Sequence, residues 1–381
     1  YENSFLVDCG DLVQGTPLTY YYAFNQPEVD DPTMKTLRLM DYDMFVPGNH
    51  EFNYGMTILQ RQLDYLTSEA TETEDSVAVG CANYLDADTN SDESIDWNTW
   101  NDYAPYQLYD FDGVTVAVMG IGNPNIPKWD VPANWEGIHF ANVIETYKHY
   151  EQELTEKADL IVLASHSGID SDSESDFIRR LISETNTIDL VFSGHEHRNG
   201  VTMIANTDGQ EIPVLSPSTK AAVVSQAVVT YDKLTGEYAI DAGNVAMTTR
   251  EGGQQKPLYE VDPDLEAALK PYETATWQDY MLQPIGKATG DFSAANLGTA
   301  PSAFVDLVNK VQIWGAYDRT GENTPDDESD DTPAQLSITA PLTSGNAENL
   351  IPEGDIVLGD MFKLYRYENW FYQITMSGKE V

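Results

Sequence analysis

The sequence contains few cysteines, few basic residues and no long apolar segment. Its 381 residues include two cysteines, Cys9 and Cys81, which excludes a small domain held together by several disulfides. Both cysteines border apolar stretches, so we expect buried free thiols rather than a disulfide. No apolar run approaches the roughly 18 residues that a membrane-spanning helix requires, so we predict no membrane span.

The beginning of the chain lacks a recognisable secretion signal. The sequence opens directly in a strand-like run at Ser4–Val7. We therefore expect that a further N-terminal segment precedes Tyr1 in the native protein.

Basic residues are far outnumbered by acidic ones. The chain has 20 Lys and Arg against 63 Asp and Glu, and its formal net charge is −43. This excludes a nucleic-acid polymer as partner, because no basic stripe offsets the repulsion of the phosphates. A small phosphate-bearing substrate would need local attraction, which bound divalent cations supply. The acidic surface is typical of a protein that works in an extracellular or salty medium.

Alternating strand-like and helix-like segments predict a layered α/β domain over residues 1–250. The predicted helices are Asp31–Met40, Met56–Ala70, Asn142–Lys157 and Ser173–Glu184. Strands are predicted at Val114–Ile121, Pro213–Pro217 and Ala221–Tyr231, in addition to four that are described below. A hydrophobic content of 41% and the length of the chain allow a second domain with its own core.

A linker and a second domain are predicted to follow. The Gly- and Gln-rich stretch Gly252–Gln255 and an amphipathic helix at Pro263–Tyr280 indicate a linker over residues 251–284. The second domain, residues 285–381, is predicted to be α+β. Its predicted elements are a helix at Ala300–Trp314 and strands at Leu336–Pro341 and Trp370–Met376.

Four strand-like runs each end in a cluster of polar side chains that can bind metal ions. The runs and their clusters are Ser4–Val7 with Asp8–Asp11, Met44–Val46 with Gly48–Glu51, Leu160–Ala164 with Ser165–His166, and Leu190–Phe192 with Gly194–His197. Buried strands that end at such residues place them at the carboxyl edge of a sheet, where ligands bind in open α/β folds. The four clusters together predict a metal site.

The ligand types predict a centre with two divalent cations. Carboxylate, amide oxygen and imidazole suit Zn, Mn, Fe or Co, and one carboxylate can bridge two ions. We expect Asp11 to be the bridge, with Asn49, His166 and His195 completing one metal and His197 serving the other. Because imidazole must be neutral to bind, we expect metal affinity to fall below about pH 6.5.

His50 is predicted to act on the substrate rather than on a metal. It follows Asn49 directly, and the neighbour of a ligand usually points elsewhere, so His50 is placed to stabilise the reacting phosphate or to protonate the leaving oxygen. Asp8 is expected to be structural, and so are His139 and His149, which lie outside the clusters.

The acidic stretch Asp86–Asp102 has spacing loosely similar to a calcium-binding loop. It lacks the central glycine and the terminal glutamate of such a loop, so a solvated surface loop is favoured over a calcium site.

These motifs resemble the calcineurin-like metallophosphoesterases, and within them the two-domain 5′-nucleotidase superfamily. VDCGDLVQGTPLTYY, GNHEFNYG, IPKWD, SHSGI and SGHEH are most similar to 2′,3′-cyclic-nucleotide 2′-phosphodiesterase/3′-nucleotidases. The segment from Ile351 to Val381 looks like the start of their C-terminal nucleotide-binding lobe. The resemblance implies a four-layered α/β/β/α sandwich, a linker helix and a truncated α+β C-terminal domain.

The resemblance also implies roles for single residues. The five ligands predicted above match the family's metal ligands, and His50 matches its catalytic histidine. Tyr367 matches an aromatic residue that stacks on the nucleobase, and Asn369 a neighbouring pocket residue. Asn53 stands where 5′-nucleotidases have an Asp, which favours the cyclic-phosphodiesterase branch. The family's Asp-x-His metal motif would precede Tyr1, so the first metal site is incomplete in the sequence as it stands.

The function implied by the resemblance is hydrolysis of nucleotides by in-line attack of a metal-bound hydroxide. The enzyme would open 2′,3′-cyclic nucleotides and remove the 3′-phosphate, as a secreted, periplasmic or wall-attached bacterial protein. The alternatives are a 5′-nucleotidase or related phosphatase of the same fold, and a non-catalytic fragment that lacks the Asp-x-His motif. A structural calcium-binding surface protein is a further, less favoured alternative.

Overall fold

A computed structural model describes residues 3–88, 95–170, 177–251, 254–295, 297, 300–317, 334–339, 350–364 and 374–379. The chain divides into two compact units. The first contains Tyr1–Gln14 and Tyr22–Leu269, and the second Gly15–Tyr21 and Lys270–Val381. No helix among the described residues is long and apolar enough to cross a membrane.

The strands of the described residues are, in chain order, β1 (Val7–Asp8), β2 (Met44–Phe45), β3 (Ala78–Val79), β4 (Tyr84–Asp86), β5 (Tyr106–Phe111), β6 (Val114–Ile121), β7 (Ile138–Phe140), β8 (Leu160–Ser165), β9 (Leu190–Ser193), β10 (Asn199–Ala205), β11 (Glu211–Pro217), β12 (Val223–Tyr231), β13 (Tyr238–Ala246), β14 (Thr248–Glu251), β15 (Gln254–Pro257), β16 (Pro284–Ala288) and β17 (Gly354–Val357).

The α-helices are α1 (Pro17–Tyr20), α2 (Pro32–Leu39), α3 (Met56–Thr67), α4 (Ile126–Trp129), α5 (Val143–Lys157), α6 (Phe177–Glu184), α7 (Pro263–Ala275), α8 (Ala303–Tyr317) and α9 (Leu358–Leu364). Short 3₁₀ turns occur at His50–Phe52, Trp100–Asp102 and Pro132–Asn134, and π-helical turns at Tyr21–Asn25 and Thr276–Met281.

Two stacked sheets form the centre of the first unit. A parallel sheet has the strand order β1-β2-β3, and a six-stranded sheet has the order β10-β11-β9-β8-β6-β5. Within the larger sheet β6, β8, β9 and β11 are parallel to one another, while β10 pairs antiparallel with β11 and β5 with β6 at the two edges. The hairpin β12-β13 adds a further antiparallel pair.

Side chains on the two faces of the six-stranded sheet enter two different cores. On one face, residues such as Ile161 and Leu163 pack with Tyr147 and Leu154 of helix α5 and with helix α6. On the other face, Leu160 and its neighbours pack against Met44 and Val46 and against the hairpin β12-β13. Since helices α2 and α3 contact each other and α3 contacts β3, helices also cover the smaller sheet. The unit is therefore an α/β/β/α sandwich, as expected.

Side-chain caps explain where two predicted helices begin. Asp31 Oδ1 accepts a hydrogen bond from Thr33 N at 2.9 Å, and Asn142 Oδ1 accepts one from Ile144 N at 2.9 Å. Each cap satisfies an N–H group that the first helical turn leaves without a partner. The predicted N-termini of helices α2 and α5 are thus confirmed to within one residue.

Three parts of the prediction differ from the structure. The Gly- and Gln-rich stretch predicted as a linker includes Gln254 and Gln255, which lie in strand β15 and pair with β14. The described part of Leu336–Pro341, residues 336–339, contains no strand, and neither do residues 374–376 of Trp370–Met376. A strand needs a partner, and the apolar pattern of a short segment does not say whether one exists.

The second unit has a small core of its own. Strands β16 and β17 pair antiparallel, and helix α9 contacts β17. Phe304 of helix α8 is buried with Ala294, Ile351 and Leu364. The domain limits near residues 250 and 285 stay predictions.

Candidate metal centre

The predicted metal ligands lie where the carboxyl edges of two sheets meet. Strands β1 and β2 belong to the three-stranded sheet, whereas β8 and β9 belong to the six-stranded sheet. We expected one sheet edge, and that expectation is wrong. A buried apolar run indicates a strand but not the sheet that the strand joins, so the stacking of the sheets could not be predicted from the runs.

Four of the five predicted ligands converge at this edge. The ligand atoms of Asp11, His166 and His195 all lie within 4.8 Å of one another. His166 Nε2 lies 3.1 Å from Asp11 Oδ2, and Asn49 Oδ1 lies 3.3 Å from His166 Nε2 and 3.0 Å from His195 Nδ1. One carboxylate, one amide oxygen and two imidazole nitrogens form a donor set that fits a divalent cation such as Zn, Mn, Fe or Co. His197 is exposed and lies outside this group.

Left-handed backbone conformations help to aim these side chains. Asp11 has φ = 67° and His195 has φ = 73°. Residues other than glycine rarely adopt such angles, and strained positions of this kind cluster at functional sites. Both loops therefore hold an energetically unfavourable backbone conformation at the residues that would bind the metal.

Glu51 joins two of the loops, a role that no sequence pattern predicted. Its carboxylate is fully buried and accepts backbone N–H groups on both loops. The four bonds come from Asp11 N at 2.8 Å, Leu12 N at 2.7 Å, Val13 N at 3.3 Å and Gly48 N at 2.6 Å. Burial raises the pKa of the Glu51 carboxyl, and so does the nearby charge of Asp11. The one available signal was its position in the cluster Gly48–Glu51.

His166 is oriented by the backbone of the neighbouring loop. Its Nδ1 is hydrogen-bonded to the carbonyl oxygen of Cys9, so Nδ1 donates and Nε2 faces the ligand group. Burial by itself would lower the pKa of His166, but the charge and hydrogen bond of Asp11 raise it to about 9. Burial likewise opposes ionisation of Asp11, yet His166 and His50 hold the pKa of Asp11 below its usual value. Without a metal, the two residues thus form a buried ion pair.

Metal binding near neutral pH is expected to release about one proton, because a ligating imidazole must be neutral. With a pKa of about 9, His166 is protonated at neutral pH in the metal-free protein. Metal affinity should therefore decline as the pH falls below about 9, and not only below the ordinary value of about 6.5. Calorimetric titration with Mn in two buffers of different ionisation enthalpy measures the release. Equal heats in both buffers would contradict the prediction.

The ring of His50 is bonded to Asn53 and contributes no atom to the ligand group. Its backbone N donates to Asp11 Oδ1 at 2.9 Å, but its Nδ1 lies 2.6 Å from Asn53 Oδ1. Asn53 Nδ2 in turn donates to Asp130 Oδ2 at 2.9 Å. His50 is thus linked to the ligands by its backbone and to a separate polar chain by its side chain.

Trp129 covers a face of His195. The two rings are stacked with centroids 5.3 Å apart and planes at 20°, and Trp129 keeps 46% of its surface exposed. Trp129 ends helix α4, and Asp130 follows it directly. One short segment therefore contacts both a candidate metal ligand and the polar chain behind His50.

Asp8 and the two cysteines contribute no atom to the ligand group. Asp8 Oδ1 accepts a hydrogen bond from Gly10 N at 2.8 Å, a turn contact that agrees with a structural role. Burial raises the pKa of Asp8 to about 7. Both cysteines are free thiols, as predicted, and burial raises the pKa of Cys9 to about 12. Tyr367 and Asn369 lie outside the described residues.

Replacing Gly48 with alanine is expected to disrupt the centre. A Cβ atom there would lie 2.7 Å from both Asp11 N and His166 Cε1, and closer still to Asp11 Oδ1. We expect a loss of about 1–3 kcal/mol in the free energy of unfolding and weaker metal binding, measured by denaturant titration and calorimetry. The control is Gly243→Ala, where a Cβ atom would meet nothing within 4 Å. Equal behaviour of the two variants would refute the prediction.

The α/β/β/α sandwich and the ligand cluster between its two sheet edges define the class of metal-dependent phosphoesterases. The chain belongs to the calcineurin-like phosphoesterase family, whose model matches residues 1–199. Residues 284–381 match the model described as 5′-nucleotidase, C-terminal domain. The resemblance seen in the motifs is thereby confirmed.

Known proteins resemble the whole chain at modest identity. The trifunctional nucleotide phosphoesterase protein YfkN of Bacillus subtilis is 26% identical over 100% of this chain and 26% of its own length. The 2′,3′-cyclic-nucleotide 2′-phosphodiesterase/3′-nucleotidase of Salmonella typhimurium is 28% identical over 100% of this chain and 60% of its own length. The crystal structure of a 5′-nucleotidase precursor from Thermus thermophilus matches with a TM-score of 0.61 at 20% identity, over 95% of this chain and 64% of that chain. The chain thus spans only part of the length of these relatives.

Proposed function

We propose that the protein hydrolyses nucleotide phosphoesters with divalent metal ions, opening 2′,3′-cyclic nucleotides and removing the 3′-phosphate. The observation that carries this proposal is the convergence of Asp11, Asn49, His166 and His195 beside a histidine, His50, that is bonded elsewhere. The name of the Salmonella typhimurium relative supports this choice of substrate.

In this proposal each residue has a defined task. Asp11, Asn49, His166 and His195 would hold one metal ion, and His197 would contribute to a second. When bound, the ions activate the attacking water and offset the charge of the phosphoryl oxygens. His50 gives a proton to the leaving ribose oxygen. The resemblance to the family assigns base stacking to Tyr367 and a substrate contact to Asn369.

One site can perform both steps. Opening the cyclic phosphate and removing the 3′-phosphate are both displacements at the same phosphorus atom, so a substrate held once by its phosphoryl group can pass through both. The chain has 63 acidic residues and only 20 basic ones, so its negative electrostatic potential repels phosphate. Bound cations must therefore supply the attraction locally. The same acidic composition supports a location outside the cytoplasm, in the periplasm, on the wall or in the medium.

The decisive experiment is product analysis with 2′,3′-cyclic AMP, 3′-AMP and 5′-AMP. The full-length protein is assayed with Mn or Co and with a chelator, and nucleotides and adenosine are separated by chromatography. Chelator-sensitive turnover of the first two substrates, lost in Asp11→Asn, is the expected result. Turnover of 5′-AMP alone would make the protein a 5′-nucleotidase. No turnover of any substrate would favour the non-catalytic alternative.

A further inference from the structure

A chain of three polar side chains leads from His50 to Asp130. His50 Nδ1 lies 2.6 Å from Asn53 Oδ1, and Asn53 Nδ2 lies 2.9 Å from Asp130 Oδ2. The far oxygen, Asp130 Oδ1, accepts hydrogen bonds from Val131 N at 2.8 Å and from Asn134 Nδ2 at 2.7 Å. Asp130 follows helix α4, far along the chain from His50, and is linked to it through Asn53.

The chemistry of these groups fixes which group donates and which accepts in each of these hydrogen bonds. An ionised carboxylate can only accept hydrogen bonds, so the amide nitrogen of Asn53 must face Asp130. The amide oxygen of Asn53 then faces His50, and Nδ1 of His50 must donate. Nδ1 carries a hydrogen in this arrangement whether the ring is neutral or protonated. The remaining ring nitrogen, Nε2, is left for the substrate.

We propose that Asp130 is a positioning residue that fixes the amide of Asn53 and thereby selects Nε2 of His50 as the atom that meets the leaving oxygen. This inference rests on the proposed function for the role of His50. In that step the Nε2–H bond breaks, an O–H bond forms on the ribose oxygen, and the electron pair of the P–O bond goes to the same oxygen. A proton held at Nδ1 by Asn53 leaves the ring able to make that donation at its other end.

Asp130→Asn is expected to reverse the direction of the hydrogen bonds between residue 130, Asn53 and His50. Val131 N and Asn134 Nδ2 are both donors, so they retain the oxygen of the new amide and turn its NH₂ group towards Asn53. The amide of Asn53 must then rotate, and its N–H faces His50 Nδ1, which can no longer carry a hydrogen. Turnover of a nucleoside 3′-phosphate should fall about 10²-fold. Turnover of 4-nitrophenyl phosphate, whose leaving group needs no proton, should change by less than about threefold.

A reciprocal double variant restores the original pattern. In the double variant Asn53→Asp with Asp130→Asn, the carboxylate at position 53 accepts hydrogen bonds from His50 Nδ1 and from the amide NH₂ group at position 130. The oxygen of that amide still accepts hydrogen bonds from Val131 N and Asn134 Nδ2. Asn53→Asp alone would place the carboxylate at position 53 next to that of Asp130, where Asn53 Nδ2 now lies 2.9 Å from Asp130 Oδ2, and the two negative charges would repel each other. We expect both single variants to be impaired and the double variant to recover most of the turnover, which is a coupling that independent structural defects would not produce. Glu136→Gln, which removes an exposed charge nearby, is the control.

Nitrogen NMR of the His50 ring tests the hydrogen-bond direction without activity. At a pH where the ring is neutral, the hydrogen should sit on Nδ1 in the wild type and the double variant, and on Nε2 in Asp130→Asn. An unchanged tautomer in Asp130→Asn, equal losses with both phosphate esters, or a double variant no better than the single ones would overturn the inference. A wild-type protein that hydrolyses no phosphoester would refute the proposed function, while the tautomers would still decide the role of Asp130.

Discussion

Replacing His50 with alanine is expected to lower turnover of a 3′-nucleotide about 10²- to 10⁴-fold without loss of bound metal. The side chain is bonded to Asn53 and contributes no atom to the ligand group. The contact that His50 makes with Asp11 comes from its backbone N–H, which alanine retains. The substitution should therefore remove the proton donor and leave the metal ligands in place.

The measurement pairs steady-state kinetics with metal content by mass spectrometry on the same preparations. His139→Ala is the matched control, because His139 lies in strand β7 outside the ligand clusters, and it should keep both activity and metal. If His50→Ala loses its metal, the residue has been assigned the wrong role. Wild-type turnover in that variant would exclude His50 as the proton donor.

Replacing Glu51 with glutamine is expected to destabilise the metal-free protein by about 3 kcal/mol and to abolish tight metal binding. Each oxygen of Glu51 accepts two backbone N–H groups. In the glutamine variant, an NH₂ group replaces one of these oxygens and faces backbone N–H donors. Two donors then meet in a fully buried place and neither has an acceptor. Because these N–H groups belong to the loops of Asp11 and Gly48, the loops should separate, and the ligands with them.

Denaturant unfolding in the presence of a chelator and calorimetric metal titration measure the two effects separately. Glu69→Gln, which removes one charge from an exposed side chain, is the control and should match the wild type. A Glu51→Gln variant with wild-type stability would show that the loops do not depend on this carboxylate. Normal stability with lost metal binding would place Glu51 among the ligands instead.

Several features of the site were predictable because their signals are local. The strands that precede Asp11, Asn49, His166 and His195 are short apolar runs followed by polar residues, and the structure brings those four side chains together. The helices predicted to begin at Asp31 and Asn142 begin there in the structure, where each side chain accepts a hydrogen bond from an N–H group two residues further on. Each of these inferences needs only a few consecutive residues.

Other features depend on residues that are distant in sequence, and no local pattern encodes them. Glu51 has an ordinary place in its motif, and its importance comes from N–H groups 38 to 40 residues away. Asp130 lies 77 residues from Asn53, so nothing near Asp130 indicates a bond to the chain behind His50. The stretch around Gln254 was predicted as a linker, because its pairing with β14 cannot be inferred from composition.

By itself the sequence indicated a layered α/β domain, the family through its motifs, and four of the residues that the structure brings together, because strand periodicity and motifs are written in neighbouring residues. Only the tertiary structure decided that the grouped side chains lie between two sheets, that Glu51 accepts N–H groups from two loops, that Asp130 is bonded to Asn53, and that Asp11 raises the pKa of His166 to about 9. These properties arise from burial, from the direction of hydrogen bonds and from charges that approach through folding, and each of them depends on distances that a linear chain does not contain.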